Sequence, residues 1–221
     1  MNLARVEHYF SQFLSHMEIG KVPPNLFITG TVNMDESTYQ FSKKVLDRAN
    51  TLEFNEVYLK QRPSVTQISG EFTQQERQIF YNTFLGCQDK EWDEDVINVL
   101  ETINSILVRR NMQFAYRVRD EVLKFIANSR GLLDKTVAID LQILQKVMPR
   151  VGGTKEQVEQ LLVQLLCFFL GVDKEALPSE IEDLYLIDPG QYSACLYPKS
   201  AKKTARMLGR VREDGFVNFY E

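Results

Sequence analysis

The amino-acid sequence predicts an α/β unit followed by an all-α bundle. Two observations carry this expectation. Residues 25–33 form a short, nearly continuous apolar run, the pattern of a parallel strand covered on both faces, and helical stretches flank it. From about residue 71 to about residue 185 the apolar side chains recur instead at three- and four-residue steps, the period of an α-helix.

Leu3, Val6, Phe10, Phe13, Leu14 and Met17 share one helical face, and Gly20 with Pro23-Pro24 stops that helix. The apolar run follows, and polar residues 33–38 leave it directly. Ser42 is placed to cap a short helix through Ala49, after which Thr51-Leu52-Glu53-Phe54 and Val57-Tyr58-Leu59 read as a further strand and its exit. The order helix, strand, helix, strand is that of an α/β sheet, assigned to residues 1–60. Residues 61–70 carry a proline, a glycine and hydroxyl side chains without a clear period, and are assigned as a linker.

Beyond the linker, residues 71–186 read as a helical bundle. Val96, Val99, Leu100, Ile103, Ile106 and Leu107 lie on one helical face, and Val118, Val122, Phe125 and Ile126 on another. Residues 137–147 and 155–170 repeat the pattern, parted by Pro149 and Gly152-Gly153. The tail, 187–221, is mixed: a turn at Asp188-Pro189-Gly190, a basic helix over 200–212, and a turn at Asp214-Gly215 leading into an aromatic end.

Composition narrows the function classes. Twenty-six basic against thirty acidic side chains give a formal charge of -4, so no global pull toward nucleic acid is expected. The longest apolar stretch, 161–170, is interrupted by Gln164 and is too short for a membrane span. The N-terminus lacks the basic lead and apolar stretch of a secretory signal, so the expected location is cytoplasmic. Cys87, Cys167 and Cys195 are odd in number and widely spaced, which predicts buried free thiols. His8 and His16 lie more than two helical turns apart, and the acidic run 89–95 lacks the ligand alternation of a calcium loop. No metal site is expected.

Chemistry concentrates in residues 30–38, because polar groups released at the C-terminal end of a parallel strand face the crevice where α/β sheets bind ligands. The Asn33 amide, which donates and accepts, suits the holding of an attacking water; the alternative is that Asn33 and Asp35 cap a turn. Arg48 near a helix end either contacts a ligand or offsets the helix dipole.

Pro24-Asn25-Leu26-Phe27-Ile28-Thr29-Gly30-Thr31-Val32-Asn33-Met34-Asp35-Glu36, followed by Phe41-Ser42-Lys43-Lys44-Val45-Leu46-Asp47-Arg48-Ala49, resembles the sensor-1 strand and arginine-finger helix of McrB-like AAA+ proteins, the NTPase subunits of methylcytosine-specific restriction systems. Met1-Asn2-Leu3-Ala4-Arg5 is similar to the residues following the Walker B Asp-Glu in that family. Residues 114–121, 140–150 and 200–220 resemble its lid and tail more loosely.

The resemblance implies a truncated AAA+ core, made of the sensor-1 strand, arginine-finger helix and last strand, with a helical lid bundle behind it. It implies that Asn33 orients the water attacking the γ-phosphate, and that Arg48 reaches a neighbouring subunit's site within a homo-oligomeric ring. Arg117 matches sensor 2, with Arg119 as the competing choice. ATP or GTP with Mg is the implied cofactor of the complete protein, and an endonuclease subunit and DNA are the implied partners. Asn33-Met34-Asp35-Glu36 departs from the usual Asn-Thr-Ala-Asp, so the choice of nucleotide stays open. A MoxR-like chaperone is the runner-up within the NTPase class.

The phosphate-binding loop G-x-x-x-x-G-K-[S/T] does not occur in the sequence, so this chain alone is expected neither to bind nucleotide tightly nor to hydrolyse it. From a different class comes the expectation of a non-catalytic interaction module. The basic cluster Lys199, Lys202, Lys203, Arg206, Arg210 and Arg212 would then meet DNA phosphates or an acidic partner, with Tyr197, Phe216 and Phe219 near enough to stack on single strands.

Overall fold

The computed structural model describes residues 10–23, 26, 28–32, 41–53, 73–86 and 91–220. Among them the chain is predominantly helical: α1 (Ser11–Glu18), α2 (Lys43–Leu46), α3 (Gln74–Gly86), α4 (Glu94–Leu107), α5 (Tyr116–Asn128), α6 (Lys135–Gln142), α7 (Lys155–Leu170), α8 (Ile181–Tyr185) and α9 (Pro198–Asp214). The only sheet among the described residues is a two-residue antiparallel pair, β1 (Gly153–Thr154) with β2 (Phe216–Val217), in the register Gly153 to Val217 and Thr154 to Phe216.

The expected α/β core is therefore corrected. Residues 28–32 of the anticipated sensor-1 strand pair with no other strand, and Leu26 and Ile28 stand about half exposed, at 49% and 51%. Thr51–Glu53 of the anticipated last strand is also outside any sheet. The physical reason is that a strand exists only through its ladder. A run of Leu, Phe and Ile signals apolarity, but no other described segment offers a parallel edge to satisfy its backbone. The expected cap on the following helix also differs, since α2 begins after Ser42 without a side-chain capping bond.

The helical half follows the sequence closely. α7 starts at a reciprocal capping box between Thr154 and Gln157, and ends at Gly171 in the left-handed region at φ 68°. A Cβ on Gly171 would also lie 2.7 Å from the Ala194 carbonyl oxygen, so glycine is required there twice over. Leu162, Leu165, Leu166, Phe169 and Leu170 of α7 are fully buried and form the centre of the core. α4 packs on them through Val96, Leu100, Ile103 and Leu107, and α9 through Ala201, Ala205, Leu208 and Val211. The small residues Ala201, Ala205 and Gly209 recur every fourth position on α9, so neighbouring elements approach closely; the Tyr185 ring of α8 sits where a Cβ on Gly209 would be.

α9 has a tertiary cap. Its cap position is Tyr197, which makes no side-chain capping bond, and its first residue, Pro198, has no N–H to satisfy. The next two N–H groups, of Lys199 and Ser200, donate to the carboxylate of Asp140 at 2.8 and 2.9 Å, and Ser200 Oγ donates to the same carboxylate at 2.6 Å. Asp140 is 2% exposed and comes from α6.

After α6 the helix widens into a π-turn, Ile143–Val147, and then tightens into a 3-10 turn, Met148–Arg150. Pro149 offers no N–H to the carbonyl four residues back, that of Gln145, and this carbonyl accepts the Thr51 N–H at 3.4 Å instead. The contact belongs to a strap, residues 41–53, laid over the helical body. Leu46 of the strap is buried, Asp47 pairs with Arg150, Glu53 accepts from Lys203 Nζ at 2.7 Å, and the Phe41 ring meets the Tyr220 ring edge-on at 5.7 Å. Burial lowers the pKa of both Arg150 and Lys203 and pushes the Tyr220 phenol up to about 12.

Three outcomes follow from these contacts. Asp140→Ala strands two buried N–H donors and a hydroxyl, and is expected to remove about 2 to 5 kcal/mol of stability in urea unfolding, with Asp140→Asn losing less because one acceptor oxygen remains. A loss under about 1 kcal/mol for the alanine variant would contradict the capping role. Asp47→Asn deprives the buried Arg150 of its counter-charge. Because Asp47 is itself one-third exposed, the expected cost is roughly 2 to 3 kcal/mol of strap docking, read as faster amide exchange confined to 41–53. The third outcome concerns pH. Asp93 caps α4 and pairs with Lys135 at 2.8 Å, and chiefly that hydrogen bond holds its carboxyl below the ordinary value of 3.8. A depressed carboxylate stabilises the fold above its unfolded pKa and loses that contribution as pH falls through the folded one. Asp93→Asn is therefore expected to flatten the acid limb of the stability curve below about pH 4 and to leave its shape near neutrality unchanged.

Candidate functional site

Of the four residues expected to carry chemistry, Asn33 lies outside the described residues. The structure places the other three. Arg48 sits just past the C-terminus of α2, where its N–H donates to the Val45 carbonyl at 3.0 Å. Its guanidinium folds back to donate to the Lys44 carbonyl at 2.5 Å and to Glu18 Oε1. Only 8% of its side chain is exposed, so Arg48 lies against its own protomer.

Arg117 is the second residue of α5, and its Nη1 lies 4.0 Å from the same Glu18 oxygen. Two guanidiniums from distant parts of the chain thus converge on one carboxylate, itself about half exposed at the last residue of α1. Arg119 is engaged elsewhere: it donates to Asp120 at 2.9 and 2.7 Å and lies over the rings of Tyr116 and Trp92 at 4.8 and 5.4 Å. The structure therefore brings Arg117, and not Arg119, to Arg48.

The arrangement has a clear chemical capacity. Guanidinium is planar, permanently charged and forked, which suits it to carboxylate and phosphate oxygens alike. Glu18 neutralises one of the two charges and leaves the cluster cationic by one. Lys43, on the adjoining helix, is drawn to the left-handed turn at Asn111, whose carbonyl accepts from its Nζ at 2.8 Å.

Sequence reasoning missed Glu18, because a single acidic residue at a helix end carries no motif. It also missed Arg150 and Lys146, two cations almost entirely buried and paired with Asp47 and Glu121. Their signal was weak: both lie in a helical stretch where lysine and arginine ordinarily face water. The remaining candidates stay unremarkable. Cys167 and Cys195 are free, partly buried thiols whose pKa burial raises, which disfavours the reactive thiolate. No three His, Cys, Asp or Glu side chains among the described residues gather as a metal site would require. No described helix is long and apolar enough to cross a membrane. His8 and Cys87 lie outside the described residues.

Comparison with known proteins yields one family. A model described as a domain of unknown function (DUF8727) matches residues 65–216, which span the helical body from α3 to the start of β2. No curated protein and no solved structure matches the chain. Residues 24–54, which carry the McrB-like resemblance most strongly, lie before the matched region, whereas the looser stretches 114–121, 140–150 and 200–220 fall within or overlap it. The match covers well over half of the sequence, and the chain belongs to the DUF8727 family.

Proposed function

We propose that this chain serves a McrB-like AAA+ nucleoside-triphosphatase, contributing arginines that face the terminal phosphates of ATP or GTP. The observation that carries the reading is the convergence of Arg48 and Arg117 on Glu18. Resemblance to the family nominated both arginines independently, as finger and as sensor 2, and they meet at a single anionic oxygen. A carboxylate held between two guanidiniums occupies the kind of place a phosphoryl oxygen would take. The reading rests on these residues and on the quoted motifs, and requires no α/β sheet within the described residues.

The division of labour follows from the chemistry. Phosphoryl transfer has a loose transition state, so the protein's task is to position groups and to neutralise charge. Nucleotide with Mg supplies the reacting phosphoryl group in the complete assembly. Arg48 releases Glu18 and turns toward the neighbouring subunit, where its guanidinium meets the charge developing on the phosphoryl oxygens. Arg117 holds the phosphate end of the nucleotide, and Asn33 orients the attacking water. Glu18 keeps the finger paired until a neighbour is present. In the complete protein, which carries the phosphate-binding loop, the assembly is a homo-oligomeric ring in the cytoplasm with an endonuclease subunit as partner.

The test uses the purified chain alone and mixed with a subunit that carries an intact phosphate-binding loop. The chain alone is expected to show no turnover of ATP or GTP, and in the mixture it is expected to stimulate hydrolysis. Arg48→Ala should abolish the stimulation, since an arginine finger is worth on the order of a thousand-fold or more in rate. Glu18→Gln, which frees the finger, should increase it. Stimulation that survives Arg48→Ala, or turnover by the isolated chain that survives Asn33→Ala, would overturn the reading.

A further inference from the structure

The π-turn Ile143–Val147 and the 3-10 turn after it hold two buried cations that the proposed chemistry leaves without a task. The Lys146 side chain is 2% and the Arg150 side chain 3% exposed. They belong to one unit, because Arg150 Nε donates to the Lys146 carbonyl at 3.3 Å. Each then reaches a different part of the chain. Lys146 Nζ donates to Glu121 of α5, and the Arg150 guanidinium donates to Asp47 of the strap. The adjoining carbonyl of the same turn, that of Gln145, accepts the Thr51 N–H of the strap at 3.4 Å.

Both ends of this unit stop one step short of the candidate site. Asp47 is the residue before Arg48. Glu121 lies four residues after Arg117, one turn along the same face of α5. On the other side the circuit is closed by Glu18, on which Arg48 and Arg117 converge. The strap and α5 need a common reference if two guanidiniums from distant parts of the chain are to meet one anion, and the π-turn is bonded to both.

We infer that Lys146 and Arg150 are positioning residues for the arginine pair, Arg150 acting on Arg48 through Asp47 and Lys146 acting on Arg117 through Glu121. Neither cation touches the anion. This role rests on the reading of Arg48 and Arg117 as a pair facing phosphate. Net stability is a poor account of the two cations, since a buried ion pair can often be exchanged for apolar side chains of similar volume at no loss. Geometry is a better one. A cation packed in the interior has few rotamers open to it, so the carboxylate it holds is placed within narrow limits. Misplacement of a reacting or charge-stabilising group by about 1 Å costs on the order of a hundred-fold in rate.

The experiment records the arginine Nε–Hε resonances of the isotope-labelled full chain with no nucleotide present, with Arg48 and Arg117 assigned from Arg48→Lys and Arg117→Lys. Lys146→Met keeps the length of the side chain and removes its charge, and Glu121, 38% exposed, can turn to water, so the fold is expected to persist. The Arg48 and Arg117 resonances should shift together in Lys146→Met and again in Arg150→Met. A shift confined to one arginine would overturn the inference, as would unmoved resonances in a chain whose thermal midpoint falls. An equal shift of Arg117 in Lys203→Met would also overturn it, because that buried cation ties the strap to α9 through Glu53 and would then act by general loosening. In the mixture with a subunit that carries an intact phosphate-binding loop, Lys146→Met should lower the stimulated kcat roughly ten- to a hundred-fold with KM little changed. A raised KM at full kcat would count against positioning. A wild-type chain that gives no stimulation would sink the NTPase reading alone, and the resonances would still decide whether the π-turn sets the two arginines.

Discussion

Asp140 is the constraint on which the arrangement of the helical body depends. Its carboxylate closes the N-terminus of α9, a helix that begins with residues unable to cap it, and so joins α6 to α9 across 60 residues of sequence. With that end in place, the small-residue face of α9 is set against α7 and the close contact with Tyr185 follows. The opposite face of α9 then carries the exposed Lys199, Lys202, Arg206 and Arg210, while Lys203 is buried against Glu53. A buried carboxylate is tolerated here because two of its donors are N–H groups that the helix itself leaves unsatisfied and a third is the Ser200 hydroxyl.

The body also buries three cations, Lys146, Arg150 and Lys203, each paired with a less buried acid on another segment. A buried pair of this sort contributes little net stability relative to an apolar contact, but removing one partner is costly. The pairs therefore act more through register than through strength. Asp47 and Glu53, with the Thr51 contact to the carbonyl left over at Pro149, seat the strap 41–53 at several points along its length. That strap contains α2, and Arg48 follows α2 within it. The geometry of the candidate site is thus inherited from charges deep in the helical body, within the region that defines the family.

The Arg48 cluster and the Lys203–Glu53 pair differ in how they hold a carboxylate. At Arg48 and Arg117 the anion is already present as Glu18, half exposed and tied to a short helix, and exchange for a phosphate requires only that this side chain move. At Lys203 the carboxylate of Glu53 is only 17% exposed and ties the strap to α9. The first arrangement favours a switch between two partners. The second favours a fixed seat for the strap.

Much of the helical half was legible in the sequence, because its signals are local. The three- and four-residue period of α4, α5 and α7 and the break at Gly152-Gly153 before α7 lie within or beside the segments they shape. Arg48 was nominated by a contiguous motif in the same way, and Arg117 by a shorter pattern that also offered Arg119. Tertiary structure decided the remainder. The run 25–33 looked like a buried strand because apolarity is local, whereas a strand requires an edge to pair with, and no described segment supplies one. Asp140, Glu18 and Arg150 read as ordinary surface charges because their partners are far away in sequence, and only folding brings the opposite charge or the orphaned N–H within reach. The sequence by itself determined which stretches of the second half are helical and which residue types could meet a phosphate. Which arginine meets which, and which charges are buried, was decided by packing, since long-range electrostatic pairing has no period to read along the chain.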